Sequence, residues 1–436
     1  MLRALGFAGR HKHRELKREI EEEQDAEESE EDPEYLEDQW WFYGLMPKAD
    51  VEPLLVNQGD WLVRREDKED VLTVVICIRW NGQVQHIPLR NWRGRWQLQT
   101  VAVPCLSAYD LLKLCYRRGF PLNETGVKMG KAIRKPAWMI CSHDIVDVLE
   151  RDPEDTQGGP ALEGKMFQKG SPAAVQVTLK PCNFIRLPEE RDAVIHELKQ
   201  VIAYQHENVA LIYGLIMERP PLLVVMEHCP FGSVEWLLRK EKAAGGGTGI
   251  SQARRLRFCL EAARGLAYLA GVNCLHRDLA ARTCLRSADD HLKLTQFGVL
   301  AGTNFRPAVA RRAPEVLFGF EFTPSAVVWA FGVLMWELWT DAEVPWAERS
   351  IRDTAAGTLR GERLAPPKRM PKELQRLMSD CWSEEWEKRP DMDSVKQRLE
   401  ENVAERLRKL QLQGAKKLTP AGKAPENPTS TTSNTQ

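Results

Sequence analysis

The stretch HRDLAAR at residues 276–282 decides how the second half of this 436-residue chain folds. It is followed, eighteen residues after Asp278, by QFG at 296–298 and then by APE at 313–315. An ordered set of strings like this is not expected from composition alone, and it indicates one domain built around Asp278. Three further strings complete the set: WAFGV at 329–333, CW at 381–382 and RP at 389–390.

These strings closely resemble, in the same order, those of the protein-tyrosine kinases over about residues 150–402, and LAAR marks the tyrosine-specific branch. The resemblance implies a bilobal fold, with a small β-rich lobe carrying one helix and a large helical lobe. It implies that Asp278 accepts or orients the proton of a substrate tyrosine hydroxyl, although Asp278 could equally be retained for folding. It also implies a buried pair between Glu315 and Arg389.

The resemblance fails at the two positions that would hold magnesium. The family has Asn five residues after the catalytic Asp and an Asp at the start of its Asp-Phe-Gly string, and this chain has Thr283 and Gln296 there. Magnesium prefers oxygen ligands and usually one or two carboxylates. Losing the carboxylate is expected to cost on the order of 10²–10⁴ in rate. We therefore expect ATP to remain a candidate ligand, magnesium to be disfavoured, and no resident metal.

The resemblance also implies a nucleotide site along the small lobe. In its glycine-rich loop, Ala161 adds a Cβ where the backbone must approach phosphates, and Glu163 adds a negative charge beside them. The apolar run at 223–226, which leads to the hinge, is equally predicted by a plain buried strand. The nucleotide-contacting positions of the family fall here on Gly159, Ala161, Gly164, Lys180, Met226 (the gatekeeper), Glu227 and Cys229.

Lys180 takes the place of the strand lysine of the family, and Glu197 takes that of its partner on the following helix. The two side chains would then form an ion pair. The alternation of Val175, Val177 and Leu179 favours this register. A rival register places Val177 in the lysine position and leaves the site without a cation.

Two more departures concern the activation segment and its support. The fourteen residues between Gly298 and Ala313 contain no tyrosine, so ordering by phosphorylation in the usual form is not expected. Val327 stands where the family has an aspartate that bonds the catalytic-loop backbone.

In the first half of the chain, GDWLVRR at 59–65 places Arg64 at the end of an apolar strand. Alternation sends Trp61 and Val63 to one face and Leu62 and Arg64 to the other. An arginine on an inward face is costly unless an anion meets it. That anion is either an external ligand or an acidic residue of the chain itself, in an internal salt bridge.

The surroundings of Arg64 resemble an SH2 (Src-homology 2) domain over roughly residues 40–145, of the type found in Fes/Fer cytoplasmic tyrosine kinases. The resemblance is carried by WFYGLMPK at 41–48, by the Arg64 strand, and by a hairpin signal at Asn81-Gly82 that leads to QHI at 85–87. It implies an antiparallel sheet between two helices. It also implies a phosphotyrosine-binding site formed by Lys48, Arg64 and His86.

One position of that site departs from the family. Glu66 stands where the family has a serine that donates to the phosphate, and a carboxylate repels phosphate. Three outcomes are open: Glu66 turns outward, Arg65 screens it, or binding is weakened.

Charge is unevenly placed at the ends of the chain. Residues 1–18 carry six Lys/Arg and one Glu, whereas residues 19–38 carry thirteen Asp/Glu and no Lys/Arg. Such a block repels itself, so residues 1–38 are expected to form a charged disordered arm, either an interaction arm or a solubilising tail. Residues 403–436 are expected to be a flexible tail. An SH2 domain at 39–147 and a kinase-like domain at 148–402 remain.

The formal net charge is −1, which does not favour binding to nucleic acid. The ten cysteines are scattered without a CxxC pair, which argues against a zinc module and for a reducing compartment. The chain has no apolar run long enough to span a bilayer. We expect a cytoplasmic protein without a transmembrane segment, recruited to the inner membrane face through partners.

The sequence therefore predicts an α+β multidomain protein, an SH2 domain followed by a bilobal kinase fold. Its predicted role is that of a signalling adaptor or regulator which binds phosphotyrosine-containing proteins, with an active tyrosine kinase among its candidate partners. Its own kinase-like domain is expected to be catalytically impaired. The alternative is an active non-receptor protein-tyrosine kinase using Lys180, Glu197 and Asp278 to transfer the γ-phosphate of ATP to protein tyrosine. A second alternative is that the kinase region is purely structural.

Overall fold

The computed structural model describes residues 35–68, 71–98, 100–101, 104–150, 161–167, 173–183, 185, 187–244, 249–298 and 308–418. Most of the expected acidic arm, Gly159 of the expected glycine-rich loop and the chain beyond Leu418 lie outside these ranges. Two folded units follow one another: the N-terminal domain, residues 35–144, and the C-terminal domain, residues 145–418.

The N-terminal domain is built on an antiparallel sheet with strand order β1-β2-β3. Asn81 and Gly82 connect β2 to β3 with φ angles of 50° and 81°, the left-handed backbone that a tight hairpin turn requires. The predicted hairpin is therefore present, and it places His86 opposite Cys77. The strands are β1 Trp61–Lys68, β2 Val71–Trp80 and β3 Gln83–Pro88, followed by a short hairpin of β4 Arg90–Trp92 and β5 Arg95–Gln97.

A helix covers each face of this sheet. The helices are α1 Lys48–Val51, which continues as the 3-10 turn Glu52–Leu54, and α2 Ala108–Arg118. Ser107 caps α2, because its hydroxyl accepts the backbone N–H of Asp110 at 3.0 Å. The predicted alternation along β1 is confirmed: Leu62 packs on the α1 side, and Trp61 and Val63 pack on the α2 side.

The small lobe of the C-terminal domain is a sheet with one packed helix. Its sheet has the strand order β6-β7-β8-β10-β9. Val177 and Leu179 of β8 are fully buried, as the predicted register requires. The elements are β6 Ile145–Glu150, β7 Leu162–Phe167, β8 Ala174–Pro181, α3 Pro188–Val201, β9 Ile212–Ile216 and β10 Leu223–Glu227.

The large lobe is mainly helical and is organised around the most apolar helix of the described chain. From Ala326 to Trp339 every side chain of that helix is buried. The elements are α4 Val234–Ala244, α5 Gln252–Gly271, β11 Cys284–Arg286, β12 Leu292–Leu294, α6 Pro314–Leu317, α7 Pro324–Trp339, α8 Ile351–Leu359, α9 Lys372–Cys381 and α10 Met392–Leu418. The remaining 3-10 turns are Leu36–Asp38, Ser142–Asp144, Val309–Arg311 and Trp386–Lys388. The described part of the chain holds no helix that is both long and apolar enough to cross a membrane.

The expected start of a flexible tail at residue 403 is wrong, because α10 passes through that position and runs to Leu418. The helix is anchored by Val395 and Leu399, both fully buried, and Glu400 pairs with Arg264 of α5 at 3.0 Å. Once anchored, it extends with helix-compatible charged pairs, such as Lys409 with Glu405 at 2.6 Å.

The two domains share a close interface. The Leu45 N–H donates to the Met217 carbonyl at 2.7 Å, just before the turn into β10. Gly44 lies there with φ of 52°, and a Cβ at this position would come within 2.1 Å of the Met217 carbonyl oxygen. Only glycine allows this approach. The linker then covers one edge of the small-lobe sheet, since Leu215 N–H donates to the Trp138 carbonyl at 2.9 Å.

Candidate functional site

Asp278 lies in the loop between α5 and β11 and is 1% exposed. Both its carboxylate oxygens accept from Arg282, at 2.5 Å from Nη2 and 2.8 Å from Nη1. A bidentate pair of this kind fixes the plane of the carboxylate. Both carboxylate oxygens of Asp278 are thus engaged by Arg282 within the chain.

Thr283, at the first expected metal position, is fully buried. Its Oγ1 accepts the Ala280 N–H at 3.1 Å, and it lies 2.8 Å from the carbonyl oxygen of Asp278 and 3.0 Å from that of Ala280. A hydroxyl has one proton to donate, and here that proton serves the loop backbone. Thr283 thus shapes the catalytic loop and does not present an oxygen to a ligand.

Gln296, at the second expected metal position, follows β12 and is partly buried. Its φ is 60°, a left-handed conformation that costs a non-glycine residue about 1–2 kcal/mol. Phe297, its neighbour, is fully buried and fixes the turn. With a neutral amide at 296 and the hydroxyl of Thr283 committed to the backbone, these residues do not fit a magnesium site.

Lys180 is near enough to Asp278 for the two charges to interact. Burial lowers the pKa of Lys180 to about 8, partly offset by neighbouring groups that include the Asp278 carboxylate. The expected ion pair between Lys180 and Glu197 is not found among the described side chains. The Glu197 carboxylate lies instead near Gly298 and Cys274, where a Cβ on Gly298 would come 3.1 Å from its Oε1.

A carboxylate faces the nucleotide side of the small-lobe sheet. Glu163 of β7, Thr178 of β8 and Met226 of β10 are direct antiparallel partners, so their side chains share one face. Lys180, two residues along β8, lies on the same face. His228 completes the group, with its Nδ1 3.2 Å from Thr178 Oγ1 and 4.0 Å from Glu163 Oε1.

Gly164, the third glycine of the expected glycine-rich loop, is placed within a strand. Gly164 lies inside β7 opposite Val177, and a Cβ there would come within 2.8 Å of the Ile145 side chain on β6. Its glycine allows two strands to pack, which a motif search cannot distinguish from a phosphate-binding turn. Residues 151–160, where the phosphate-binding turn is expected, lie outside the described residues, and Ala161 directly precedes β7.

The residues expected to form the hinge lie at the end of β10 and directly after it. Met226 is 5% exposed and is the last but one residue of β10, on the face shared with Lys180. The carboxylate of Glu227 turns away to accept the Leu211 N–H at 3.1 Å and to pair with Lys293 at 2.9 Å. Cys229 is buried, and its carbonyl accepts the Gly232 N–H at 3.3 Å.

Sequence reasoning missed Glu337, which ties the catalytic loop to the segment before α6. Its Oε2 accepts the Ala281 N–H at 2.8 Å, and its Oε1 accepts from Arg311 at 2.5 Å and 3.0 Å. Burial raises the pKa of Glu337, and the adjacent Arg311 opposes that rise. The available signal was a lone charge in an apolar helix, which needs a buried partner.

Val327 and His276 are both buried apart from the polar contacts that hold the catalytic loop. Val327 is 5% exposed and offers the catalytic-loop backbone no polar group. His276, within the loop, is 1% exposed, and neither ring nitrogen has a hydrogen-bond partner among the described residues. Burial lowers the pKa of His276 to about 3, so the ring is neutral. The loop is therefore held by Thr283 and Glu337 instead.

The predicted pair of Glu315 and Arg389 is confirmed. Arg389 Nη1 and Nη2 lie 2.6 Å and 2.9 Å from the two carboxylate oxygens of Glu315, with both side chains buried. Arg389 also donates from Nε to the Ser383 carbonyl at 2.9 Å and lies over the Trp329 ring at 5.0 Å. The pair therefore secures the start of α6 onto the large lobe.

In the N-terminal domain, Arg64 is met by an acidic residue of the chain. Its Nη2 lies 2.9 Å from Glu66 Oε1, and its side chain is 5% exposed against 27% for Glu66. Of the three outcomes open for Glu66, an outward turn is not observed, because Glu66 turns inward onto Arg64, and weakened binding stays a prediction. Arg65 does not screen it: its Nη2 pairs with Glu37 at 2.6 Å and its Nη1 donates to the Glu218 carbonyl at 2.5 Å.

Lys48 and His86 converge on the same pocket, and a second carboxylate lies between them. Glu52 Oε1 is 3.7 Å from Lys48 Nζ and 3.1 Å from His86 Nε2. Burial lowers the pKa of His86, while its bond to Glu52 acts in the opposite direction. We call Lys48, Glu52, Arg64, Glu66 and His86 together the arginine pocket.

A Cys-His-Asp group lies in the linker, where sequence spacing showed no metal pattern. Ligand atoms of Cys141, His143 and Asp144 fall within 4.8 Å of one another. Asp144 Oδ2 accepts the Cys141 N–H at 3.2 Å, and His143 Nδ1 lies 2.8 Å from Asp38. Burial raises the pKa of the Cys141 thiol to about 11, which keeps the sulfur protonated. These contacts describe a capped turn that holds the linker.

The comparison with protein families bears on the C-terminal domain. A family model described as protein tyrosine and serine/threonine kinase matches residues 156–399. That range is more than half of the chain, and the observed lobes agree with it: a sheet-rich small lobe and a helical large lobe. The chain belongs to the protein tyrosine and serine/threonine kinase family.

Similar curated proteins carry kinase names. The tyrosine-protein kinase transforming protein Fps of avian sarcoma virus (strain PRCII) is 28% identical over 372 residues, 83% of this chain and 67% of that protein. Fer-related kinase 1 of Caenorhabditis elegans is 28% identical over 381 residues, covering 83% and 93% of the two chains. Human tyrosine-protein kinase Fer is 26% identical over 376 residues, 84% of this chain but only 44% of that protein.

Proposed function

We propose that this chain is a phosphotyrosine-binding regulator, in which an SH2 domain at about residues 39–147 is joined to a kinase domain impaired in phosphoryl transfer. The observation that carries the proposal is the state of the two metal positions. Thr283 uses its hydroxyl on the loop backbone, and residue 296 is a neutral glutamine. Without a carboxylate anchor, the charge on a transferring phosphoryl group lacks its main stabiliser.

The nucleotide face supports the same conclusion. Glu163 directs a carboxylate toward the side of the sheet that carries Lys180, and a negative group there opposes the approach of phosphates. Lys180 is not paired with Glu197, although family catalysis needs that pair in place. ATP remains a candidate ligand, through the hinge at Met226 to Cys229 and through Lys180, whereas magnesium is disfavoured.

The binding half of the proposal rests on the N-terminal domain. A sheet between two helices presents Arg64, Lys48 and His86 to one pocket, and a guanidinium fork suits a phosphate dianion. We propose that its partners are phosphotyrosine-containing proteins of the cytoplasm, with an active tyrosine kinase among them. Recruitment through such partners would bring the chain to the inner membrane face.

A second function, active protein-tyrosine kinase, is favoured by one specific observation. Lys180 and Asp278 are electrostatically coupled, and Asp278 is oriented by a bidentate arginine. The names of the similar proteins point the same way. A third possibility, a purely structural kinase domain, is favoured by the close packing at Gly44 and Met217.

Phosphate transfer to a tyrosine-containing polymer separates these functions. The native chain is compared with a Gln296→Asp, Thr283→Asn double variant, and with an Asp278→Asn version of each. We expect transfer by the native chain at or near the Asp278→Asn background. Native transfer comparable to that of the double variant would overturn the proposal in favour of an active kinase.

Thermal shift measurements with ATP alone and with ATP plus magnesium test whether the chain binds the nucleotide and whether it binds the metal. A shift with ATP that magnesium does not increase is expected. A magnesium-dependent shift would show that a metal site persists despite Gln296 and Thr283. For the structural alternative, deleting residues 150–436 should leave phosphopeptide binding unchanged while lowering the stability of the remaining domain.

A further inference from the structure

We propose that Glu66 is an intramolecular ligand of Arg64, which a phosphorylated partner must displace before the arginine pocket can read phosphate. The inference rests on the proposed phosphotyrosine-binding function and adds its regulation. It follows from how Glu66 meets Arg64, from which of the two side chains can move, and from the charges around them.

The Arg64–Glu66 pair leaves the guanidinium incompletely bound. Glu66 offers Oε1 to Nη2 at 2.9 Å, while Nη1 reaches only the carbonyl oxygens of Arg65 at 3.4 Å and Met46 at 3.5 Å. The Nε of Arg64 is buried and has no hydrogen-bond partner among the described residues. The Cys77 thiol lies beside the guanidinium, so Glu66 supplies the one anionic oxygen that Arg64 contacts among the described residues. A phosphate has enough oxygens to fill the whole fork.

Only one member of the pair is positioned to leave. Arg64 and Glu66 are two residues apart on β1, so both point to the α1 side of the sheet. The Arg64 side chain is 5% exposed and enclosed, whereas that of Glu66 is 27% exposed at the pocket mouth. A carboxylate and a phosphate cannot share one guanidinium without strong repulsion. An incoming phosphate therefore turns Glu66 outward, and Arg64 stays in place.

The rest of the pocket is neutralised in the same manner. Glu52 lies between Lys48 and His86, at 3.7 Å and 3.1 Å. The two glutamate carboxylates, with that of Asp192 on α3 also near Arg64, oppose the charge of the two permanent cations, Lys48 and Arg64. An empty pocket therefore has little attraction for phosphate at a distance, and it leaves no buried cation unpaired. Glu66 therefore keeps Arg64 paired until a phosphate replaces it.

The test measures binding of phosphate-bearing probes to the full chain. The probes are a fluorescent peptide pool with a central phosphotyrosine between random residues, the same pool with unmodified tyrosine, and inorganic phosphate. Binding is compared among the native chain, Glu66→Ser and Glu66→Gln. Glu124→Ser is the matched control, because Glu124 is exposed in the same domain and its loss changes the net charge equally.

We expect both Glu66 variants to bind the phosphotyrosine pool about tenfold or more tightly than the native chain, since like charge facing a ligand costs several kcal/mol. Glu124→Ser should be close to native, and the unmodified pool should bind none of the chains. Adding Arg64→Met to Glu66→Ser should abolish the gain. Without probe, Glu66→Gln should lower the unfolding temperature, because Arg64 then loses its partner.

The possible outcomes distinguish a failure of the Glu66 competition from a failure of the proposed phosphotyrosine binding. Tight binding by the native chain that the Glu66 variants do not improve would overturn the competition while leaving phosphate reading intact. Equal gains in Glu66→Ser and Glu124→Ser would reduce the effect to net charge and overturn it as well. If neither native nor variant chain distinguishes the two peptide pools, the proposed phosphotyrosine binding itself fails. Equal competition by inorganic phosphate would show that the pocket reads phosphate without the tyrosine.

Discussion

The arginine pocket and the catalytic loop both hold their principal charged residue in an ion pair within the chain, yet the two pairs differ in kind. Asp278 is bound through both oxygens to Arg282, whereas Arg64 is bound through one nitrogen to Glu66. In the pocket, the departure from the family is a side chain that is partly exposed and can move. In the loop it is Thr283, fully buried and bonded to the backbone.

The arginine pocket is thus blocked by a side chain that can move, whereas the catalytic loop has lost its metal-binding residues. One rotation of Glu66 would expose the Arg64 fork. In the catalytic loop, no side-chain rotation supplies a carboxylate at position 296. Turning the Thr283 side chain away would break its hydrogen bonds to the backbone of Asp278 and Ala280. We therefore expect one substitution to be enough to recover the proposed binding function, and one substitution not to be enough to recover phosphoryl transfer. The predictions below test whether the two regions depend on the same structural support.

The largest loss of stability is expected at the buried ion pair between Glu315 and Arg389. Arg389→Met should lower the free energy of unfolding by about 3–5 kcal/mol, because it leaves Glu315 buried without its cation. Lys388→Met is the matched control, since Lys388 and its partner Glu385 are both largely exposed. Urea unfolding measures both. A loss below about 1 kcal/mol for Arg389→Met would mean that the retained motif no longer supports the fold.

The next effect concerns the interface between the regions. Gly44→Ala should loosen the domains, because the new Cβ meets the Met217 carbonyl at 2.1 Å and the backbone must shift. Gly119→Ala is the control: it has φ of 63° with nothing within 4 Å, so it carries only the conformational cost of about 1–2 kcal/mol. Limited proteolysis of the linker at 132–140 reports the opening. Equal cleavage in both variants would count against a docked interface.

A smaller loss of stability is expected from a substitution at Thr283 in the catalytic loop. Thr283→Val removes the hydroxyl that the Ala280 N–H and the Asp278 carbonyl share, at a cost of about 1–3 kcal/mol for buried groups left unpaired. Thr283→Ser should recover most of the stability, because it keeps the oxygen. Thermal unfolding of both variants decides this. If Val is tolerated as well as Ser, Thr283 is not a clamp of the loop.

The architecture could be predicted because it depends on short, local patterns. Alternation located β1 and β8, the Asn81-Gly82 pair located the hairpin, and the family strings fixed the pairing of Glu315 with Arg389. The boundary at residue 402 was missed because α10 is held by packing against α5, which no local pattern encodes.

The site could be predicted in its residues but not in its pairings. Arg64 and Asp278 were identified as charged centres, yet which neighbour meets each depends on rotamers and on where helices lie. Lys180 and Glu197 have the expected spacing, but the placement of α3 sends the carboxylate toward Gly298. The position of Glu66 was open for the same reason.

A pH dependence is expected from the loop histidine. The unfolded His276 ring takes a proton near pH 6.5, whereas the folded ring does so only near pH 3, because burial opposes its charge. The unfolded state thus binds more protons, so this ring lowers stability as pH falls from about 6.5 toward 3, by at most about 1.4 kcal/mol per pH unit. His276→Phe should flatten that slope relative to native, as followed by urea unfolding. His196→Phe, at an exposed ring, should leave the slope unchanged.

The smallest effect should come from the ion pair between α3 and α1. Lys199 Nζ lies 3.0 Å from Asp50, but their side chains are 29% and 18% exposed, so Lys199→Ala should cost about 0.5–1 kcal/mol and less at high salt. Linker proteolysis should then remain far below that of Gly44→Ala. This ordering follows if backbone contact and buried apolar surface hold the domains together and charge adds little. Cleavage of Lys199→Ala equal to that of Gly44→Ala would show the reverse: an electrostatic interface, sensitive to any phosphate that reaches the neighbouring arginine pocket.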